Sequence, residues 1–455
     1  MKEKRKALGC DFNRGDSAKD VLLFVLPLVL TGLFQQGYSL LNTAVISRYL
    51  DASAIAVRGS LGTLSAIQSY LALGVTTGFV VFLNRCYGQG DPLLYRRSMT
   101  GSCLLVGGLL VLSLILAGGV EGLLALVNMP GELWEEGRAY LTILLFGTAF
   151  TGMKNLLLGA VQGMGHVRIF GMVSILGTMS NTGILLLLLN SGYRKVSAMP
   201  LAALCNDSGI ILFLSIFLVI FRRTHVQPVG ISQIPADIFY ELLKSGGSKS
   251  AMMILAGIGG IFMQRARNTL GTAAIAGYSY ADTLSNFFLV PISAIASMAG
   301  IAAARNRGRQ DYDSLWFYAR NCLRWSLGFS GAAMAAAFGL GISFLEILSG
   351  GADQETIQAG YLWLCICIPA FSGLGSAMIC RNSLQAMGDY GKLLCLGVIE
   401  MGITVWFALC LVPRWGYPAV CLSIFTKWMA LGAAAFLWFR KCLKRSQNTG
   451  FEKSG

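Results

Sequence analysis

The sequence predicts an all-α polytopic membrane protein of about twelve transmembrane helices in two pseudo-symmetric six-helix lobes, and three observations lead there. Its 455 residues are 55% hydrophobic and only 13% charged, with a mean hydropathy of +0.63, a balance that leaves no room for a sizeable soluble domain. Apolar runs of about 20 residues, the length that crosses a bilayer, recur along the whole chain. Short motifs of the first half return about 220 residues later in the same order.

The expected spans fall near 21–46, 54–83, 98–118, 138–162, 167–190, 198–221, 250–269, 273–303, 321–346, 359–384, 392–412 and 416–439. Residues 1–20 read as a cytoplasmic tail. They have the basic character of a signal-peptide n-region, but the apolar run after them is too long and lacks an A-x-A-like exit, so an uncleaved first helix is expected. That first span, VLLFVLPLVLTGLFQQGYSLLNTAVI, places Pro27, Gln35 and Asn42 within roughly one quadrant of a helix turning about 100° per residue. A polar stripe of this kind must face other helices or water, so it proposes a cavity.

A formal charge of +14 could signal nucleic acid, but its placement argues against that. Arg85, Arg96 and Arg97, then Arg222 and Arg223, then Arg305, Arg307 and Arg309, then Arg381 and Lys392, and finally the Arg440 to Arg445 stretch fall on alternate loops. Glu121, Glu132, Glu135, Glu136, Asp353 and Glu355 mark the others, with Arg48, Arg194, Lys195 and Arg414 as exceptions. This positive-inside pattern predicts an even number of spans and cytoplasmic termini in a plasma-membrane protein, with the lipid bilayer and not nucleic acid as its partner. The twelve cysteines include no CxxC pair and there are two histidines, so neither a metal nor a redox cofactor is expected.

The repeat sets the domain organisation. Ala54-Ile-Ala-Val-Arg-Gly-Ser60 recurs as Ala274-Ile-Ala-Gly-Tyr-Ser-Tyr280, and Arg85-Cys-Tyr-Gly-Gln-Gly-Asp91 as Arg305-Asn-Arg-Gly-Arg-Gln-Asp311, both at an offset of 220. Phe150-Thr-Gly-Met153 then meets Phe371-Ser-Gly-Leu374 at 221, and Gln162-Gly-Met-Gly165 meets Gln385-Ala-Met-Gly388 at 223. With an even number of spans in each half, the copies enter the membrane from the same side as a parallel repeat. The expected units are an N-terminal lobe over 21–221, a cytoplasmic linker over 222–249 containing Pro228 and Pro235, a C-terminal lobe over 250–439 and a cytoplasmic tail over 440–455. Glycines at small-xxx-small spacing, such as Gly74 and Gly78, predict close helix packing.

Leu26-Pro27, Phe34-Gln35-Gln36-Gly-Tyr38 and Asn42-Thr43 resemble the first helix of the MATE family, the multidrug and toxic compound extrusion transporters. Tyr87-Gly-Gln-Gly-Asp91, Asn268-Thr-Leu-Gly-Thr272 and Arg381-Asn-Ser-Leu-Gln-Ala-Met-Gly388 are also similar to family motifs, so the resemblance runs from about Val21 to Arg440. It implies an efflux antiporter whose two lobes face a central cavity, moving amphipathic organic cations against sodium ions or protons. Two departures bear on the site: Asn42 stands where relatives commonly carry an aspartate, and Leu185 stands four residues after the retained Asn181, where a carboxylate is often found.

The intramembrane polar residues are therefore the candidates for coupling. An acid at the middle of a span costs about 2.5–3.5 kcal/mol on insertion scales, so Glu400 is expected to have a role or a partner, Arg324 or Lys154 being the nearest in reading. Desolvation favours its neutral form, which would let it carry a proton. Lys154 either acts as a built-in cation beside Asn42 and Asn181 or snorkels to the cytoplasmic face, the second being the expectation. Asp207 is the acid that could replace the missing carboxylates. Gln35, Tyr38, Gln264, Asn268 and Tyr278 are expected to line the substrate cavity, offering amide hydrogen bonds and aromatic faces, and Pro27 and Pro291 are candidate hinges.

These readings converge on a secondary active exporter, expected to act as a monomer, with a small organic substrate and a bound H+ or Na+ as its only ligands. A lipid-linked oligosaccharide flippase of the same superfamily is the alternative transport reading; it would need a cationic cavity, for which the sequence offers Lys154, Arg265 and Arg267. A receptor or scaffold without transport is the other alternative. The chain carries no HExxH, no paired intramembrane aspartates and no GxxxxGK[ST] loop, so an enzyme or an ATP-driven pump is not expected.

Overall fold

The computed structural model describes Phe12 and residues 18–50, 57–58, 60–126, 129, 131–193, 195–349 and 353–451. Residues 54–56 of the repeat, Arg194 and the side chains of Thr43, Arg48, Arg222 and Arg223 lie outside the described residues. Twelve long elements follow one another: α1 (Ala18–Tyr49), α2 (Gly62–Gln89), α3 (Pro92–Gly118), α4 (Trp134–Gly163), α5 (Val167–Asn190), α6 (Ala198–Val226), α7 (Ala236–Arg267), α8 (Thr272–Gly308), α9 (Tyr312–Ser349), α10 in two pieces, α10a (Gln354–Cys367) and α10b (Phe371–Met387), α11 (Tyr390–Trp406) and α12 (Tyr417–Phe451). Each expected span overlaps one of them. Among the described residues, ten helices are long and apolar enough to cross a membrane singly and α10a with α10b makes an eleventh, bent by 52°; the purely apolar part of α1 is shorter, Leu23–Ser39. Ile115, Leu187, Ile220 and Ile347 are exposed on these helices, as side chains that meet lipid rather than water should be.

Proline explains the bend. Pro369 sits between α10a and α10b, where it can neither donate to the carbonyl of Cys365 nor avoid clashing with it, so one expected span becomes two pieces. Pro27 and Pro291 lie inside α1 and α8, which continue through them. The expected linker over 222–249 shortens to 227–235, because its polar remainder, Ala236 to Lys249, is the first part of α7 and starts directly after Pro235.

The chain divides into two compact units, and the division falls inside helices. Of the described residues, 26–250 form unit 1, whereas Phe12, 18–25 and 251–451 form unit 2. Helices α1 and α7 therefore each change unit along their length, α1 between Val25 and Leu26, one residue short of Pro27. Within unit 1, α4 is the central helix and packs on α2, α3, α5 and α6; within unit 2, α10b takes that place against α8, α9, α11 and α12. Leu83, Leu156, Val161 and Leu214 are among the fully buried side chains of the first core, and Ile292, Leu364, Ala419 and Val420 of the second. Phe12, expected in a cytoplasmic tail, is buried in unit 2 against Phe24 and Tyr318, and its carbonyl accepts from Asn306 Nδ2 at 3.1 Å.

The internal repeat reappears as repeated turns. Asp91 accepts from the backbone N–H groups of Leu93 and Leu94 at 2.8 and 3.2 Å, capping α3, and Asp311 accepts from Ser314 N at 2.9 Å at the start of α9. Gly165 and Gly388 have φ of 95° and 84° after α4 and α10b, and the next N–H of each turn donates back to Val161 and to Leu384, both at 3.1 Å. Gly90, with φ 77°, corresponds to Gln310, with φ 59°, so the second copy holds a side chain where the first holds none. A left-handed conformation costs a non-glycine residue roughly 1–2 kcal/mol. Gln310→Gly is accordingly expected to stabilise the protein by about 0.5–1 kcal/mol after the entropy of glycine is discounted, read as a higher melting temperature in detergent.

Candidate functional site

Each unit holds ionised side chains inside its helix packing, and the two sets differ in charge balance. In unit 1, Lys154 on α4 and Asp207 on α6 form an ion pair with Nζ to Oδ1 at 2.7 Å. Thr151, one turn before Lys154 on the same face, donates its hydroxyl to the other carboxylate oxygen at 2.7 Å, and Asn206 Nδ2 donates to Oδ1 at 3.4 Å. The Asp207 side chain is 4% exposed and that of Lys154 is 21% exposed. Burial of a carboxylate is tolerated here because both its oxygens are bonded and its charge is matched. The expectation that Lys154 snorkels is thereby corrected: its amine turns inward because a buried anion on the facing helix offers more than the distant interface.

Asn42 is tied elsewhere. Its Oδ1 accepts from the hydroxyl of Thr182 on α5 at 3.2 Å, so the partner of this position is the neighbour of the half-buried Asn181 rather than Asn181 itself. Gln35 is exposed and Tyr38 half-buried on the unit 1 part of α1; the Tyr38 ring stacks on Phe34 at 5.6 Å and its hydroxyl reaches Met179 O at 3.5 Å. Two polar residues of α4 went unread in the sequence. Thr148 accepts from Gln68 Nε2 at 2.9 Å, and with Thr151 and Lys154 it forms a stripe at three-residue spacing that a helical reading of GTAFTGMK could have found.

In unit 2, Glu400 on α11 lies between two cations, Arg381 Nη1 at 3.0 Å and Lys427 Nζ at 3.9 Å. Neither expected partner is used: Arg324 is exposed, and Lys154 belongs to the pair just described. Arg381, read from sequence as a loop charge, lies inside α10b with its side chain 12% exposed. Lys427 was missed although it interrupts the apolar run SIFTKWMALG, the same kind of signal that drew attention to Lys154. Trp428 supports both cations, its ring centre 4.6 Å from Lys427 Nζ and 5.9 Å from the Arg381 guanidinium.

Arg267 gathers three of the expected cavity residues. It donates to Gln264 Oε1 at 2.5 Å, Gln264 Nε2 donates to Asn268 Oδ1 at 2.8 Å, and the guanidinium lies 3.8 Å from the centre of the Tyr278 ring. Tyr278 in turn meets Trp363 edge to face at 4.7 Å. Asp282, a turn further along α8, accepts from Asn286 Nδ2 at 3.3 Å. Gln35 and Tyr38 thus belong to unit 1, and Gln264, Asn268 and Tyr278 to unit 2. No group of three His, Cys, Asp or Glu side chains among the described residues is placed to hold a metal ion.

Comparison with known proteins matches the architecture twice over. A family model described as MatE matches residues 27–187 and again residues 250–410, one copy for each half of the internal repeat. The chain is 22% identical over 379 residues to the probable multidrug resistance protein YoeA of Bacillus subtilis (strain 168), covering 81% of each chain. It is 20% identical over 443 residues to the probable multidrug resistance protein YpnP of the same organism, covering 94% of this chain and 96% of the relative. Among solved structures, a MATE in complex with MaD5 superposes with a TM-score of 0.85 at 18% identity, over 97% of this chain and 99% of the other. The outward-facing conformation of a multidrug resistance MATE family transporter of the MOP superfamily gives 0.82 at 18% identity, over 95% and 99%.

Proposed function

The chain belongs to the MatE family of multi-pass membrane transporters, not of enzymes, and from that premise we propose that it is a secondary active exporter of amphipathic organic compounds, working as a monomer by alternating access and coupled to proton entry. The proposed setting is the plasma membrane, with both termini cytoplasmic. The observation that carries the coupling is the buried Lys154–Asp207–Thr151 cluster. A proton taken up by Asp207 cancels the charge that holds the Lys154 amine and weakens its grip on the Thr151 hydroxyl, so proton binding and release alter how tightly α4 and α6 are tied. Glu400 is less suited to that exchange, because its protonation leaves Arg381 and Lys427 facing each other without an anion. Asn42, already committed to Thr182, has no carboxylate to offer either ion. Pro27, at the point where α1 changes unit, is the hinge this reading favours over Pro291.

The test is flux in proteoliposomes. With the purified full-length protein, rhodamine 6G and carboxyfluorescein are followed under an imposed pH gradient and, separately, an imposed sodium gradient. Export driven by the pH gradient and lost on adding a protonophore is the expected result. A sodium gradient that alone drives flux would move the coupling ion, and no gradient-dependent flux of any substrate would favour a receptor or scaffold.

A further inference from the structure

We propose that the Arg381–Glu400–Lys427 cluster of unit 2 is a binding site for the anionic group of an amphipathic organic substrate. This inference deepens the exporter reading and rests on it for the word substrate, but not for the site. The depth of the cluster is set by its helices. Glu400 lies ten residues into α11 and Lys427 ten residues into α12, about 15 Å along each axis, which is the middle of a hydrocarbon layer about 30 Å thick. An ion at that depth is retained for a partner or a purpose.

The charges at this depth do not balance. One carboxylate is shared between a guanidinium at 3.0 Å and an amine at 3.9 Å, the longer distance leaving Lys427 the less satisfied of the two. Two cations therefore stand against a single carboxylate. Lys154 and Asp207 in unit 1, by contrast, match one for one. An unmatched cation held at this depth is costly, and an incoming carboxylate, sulfonate or phosphate oxygen is the chemistry that would satisfy it. The side chains of Arg381 and Lys427 keep 12% and 15% of their surface exposed, and Trp428 adds an aromatic face for the apolar body of the ligand.

Glu400 then has a specific part: it is the internal anion that holds the two cations when no ligand is bound and competes with the ligand for them. This predicts the sign of its replacement. Binding of carboxyfluorescein, an amphipathic anion, and of rhodamine 6G, a cation on a similar xanthene frame, is measured by fluorescence polarisation on the full-length protein in nanodiscs. Lys427→Gln is expected to weaken carboxyfluorescein binding about tenfold and Lys427→Arg to restore most of it, whereas Glu400→Gln tightens it about threefold. A purely structural Glu400 would give the opposite sign, weakening binding together with folding, and that result overturns the proposal. So does an unchanged carboxyfluorescein affinity in Lys427→Gln, or a response confined to rhodamine 6G. Should Lys427→Gln fail to elute as a folded protein, the sign for Glu400→Gln decides alone. Expected binding without gradient-driven flux would refute the exporter and leave the site; flux with binding indifferent to Lys427 would refute the site and leave the exporter.

Discussion

Asp207→Ala is expected to abolish export driven by a pH gradient and to lower the stability of the folded protein by about 3 kcal/mol, the lower end of the range for breaking a buried ion pair. The low end applies because the Lys154 side chain is 21% exposed and regains some hydration, while the 4% exposed carboxylate it loses cannot be replaced by water from within the packing. Part of the loss comes from Thr151, whose hydroxyl gives up its 2.7 Å acceptor. The two effects separate in a double variant. Lys154→Met with Asp207→Leu removes both charges and fills the space with apolar atoms, so most of the melting temperature should return. Export should not, since nothing in that pair can take up a proton. A double variant that exports under a pH gradient like the parent would place the coupling elsewhere, with Glu400 as the next group to replace. An Asp207→Ala protein that melts like the parent would show that the pair holds nothing together.

The helices and the repeat were legible in the sequence because both are written locally. Apolar runs mark α1 to α12, and turn signals such as Gly-Asp before Pro92 and Met-Gly before His166 recur because each closes one helix and starts another within a few residues. The same local reading exposed Glu400, Asp207 and Lys154 as charges in apolar surroundings. Their partners were not legible. Arg381, Glu400 and Lys427 come from three helices, and neighbouring charges along the chain say nothing of which face each helix turns to the next. Arg381 was further disguised by a rule that is sound on average: basic residues cluster at cytoplasmic helix ends, and this one lies near the end of α10b yet points into the packing. Lys154 was misjudged for a related reason, since snorkelling is the default of a lone lysine and the sequence does not reveal that Asp207 makes it a paired one.

Gly78→Val is expected to prevent assembly of unit 1, and here the sequence motif and the geometry meet. A Cβ on Gly78 would lie 2.5 Å from the Cα and 2.6 Å from the N of Gly246, and one on Gly74, a turn earlier on α2, would lie 2.5 Å from the Cα of Ser250. The obstacles are backbone atoms of α7, which unlike the end of a flexible side chain cannot step aside. Separating the helices to make room breaks the bonds that the contact permits, Ser245 Oγ to Gly78 O at 2.8 Å and Ser250 Oγ to Leu71 O at 3.2 Å. Overpacking costs about 1–3 kcal/mol, and the two hydrogen bonds add roughly 0.5–1.5 kcal/mol each. The sum, about 2–6 kcal/mol, reaches the lower end of the stability of an ordinary domain, about 5–15 kcal/mol. The expected readout is loss of the monodisperse peak in size-exclusion chromatography. Gly107→Ala and Gly108→Ala on α3, where an added Cβ meets nothing within 4 Å, should elute and melt like the parent or slightly above it. The alternative role for Gly78, a hinge rather than a contact, predicts a different pattern: Gly78→Ala would fold normally and lose flux. A Cβ 2.5 Å from backbone makes that outcome the one that would refute the packing account, because a helix pair able to absorb it at no cost in stability would have to be mobile against its partner already.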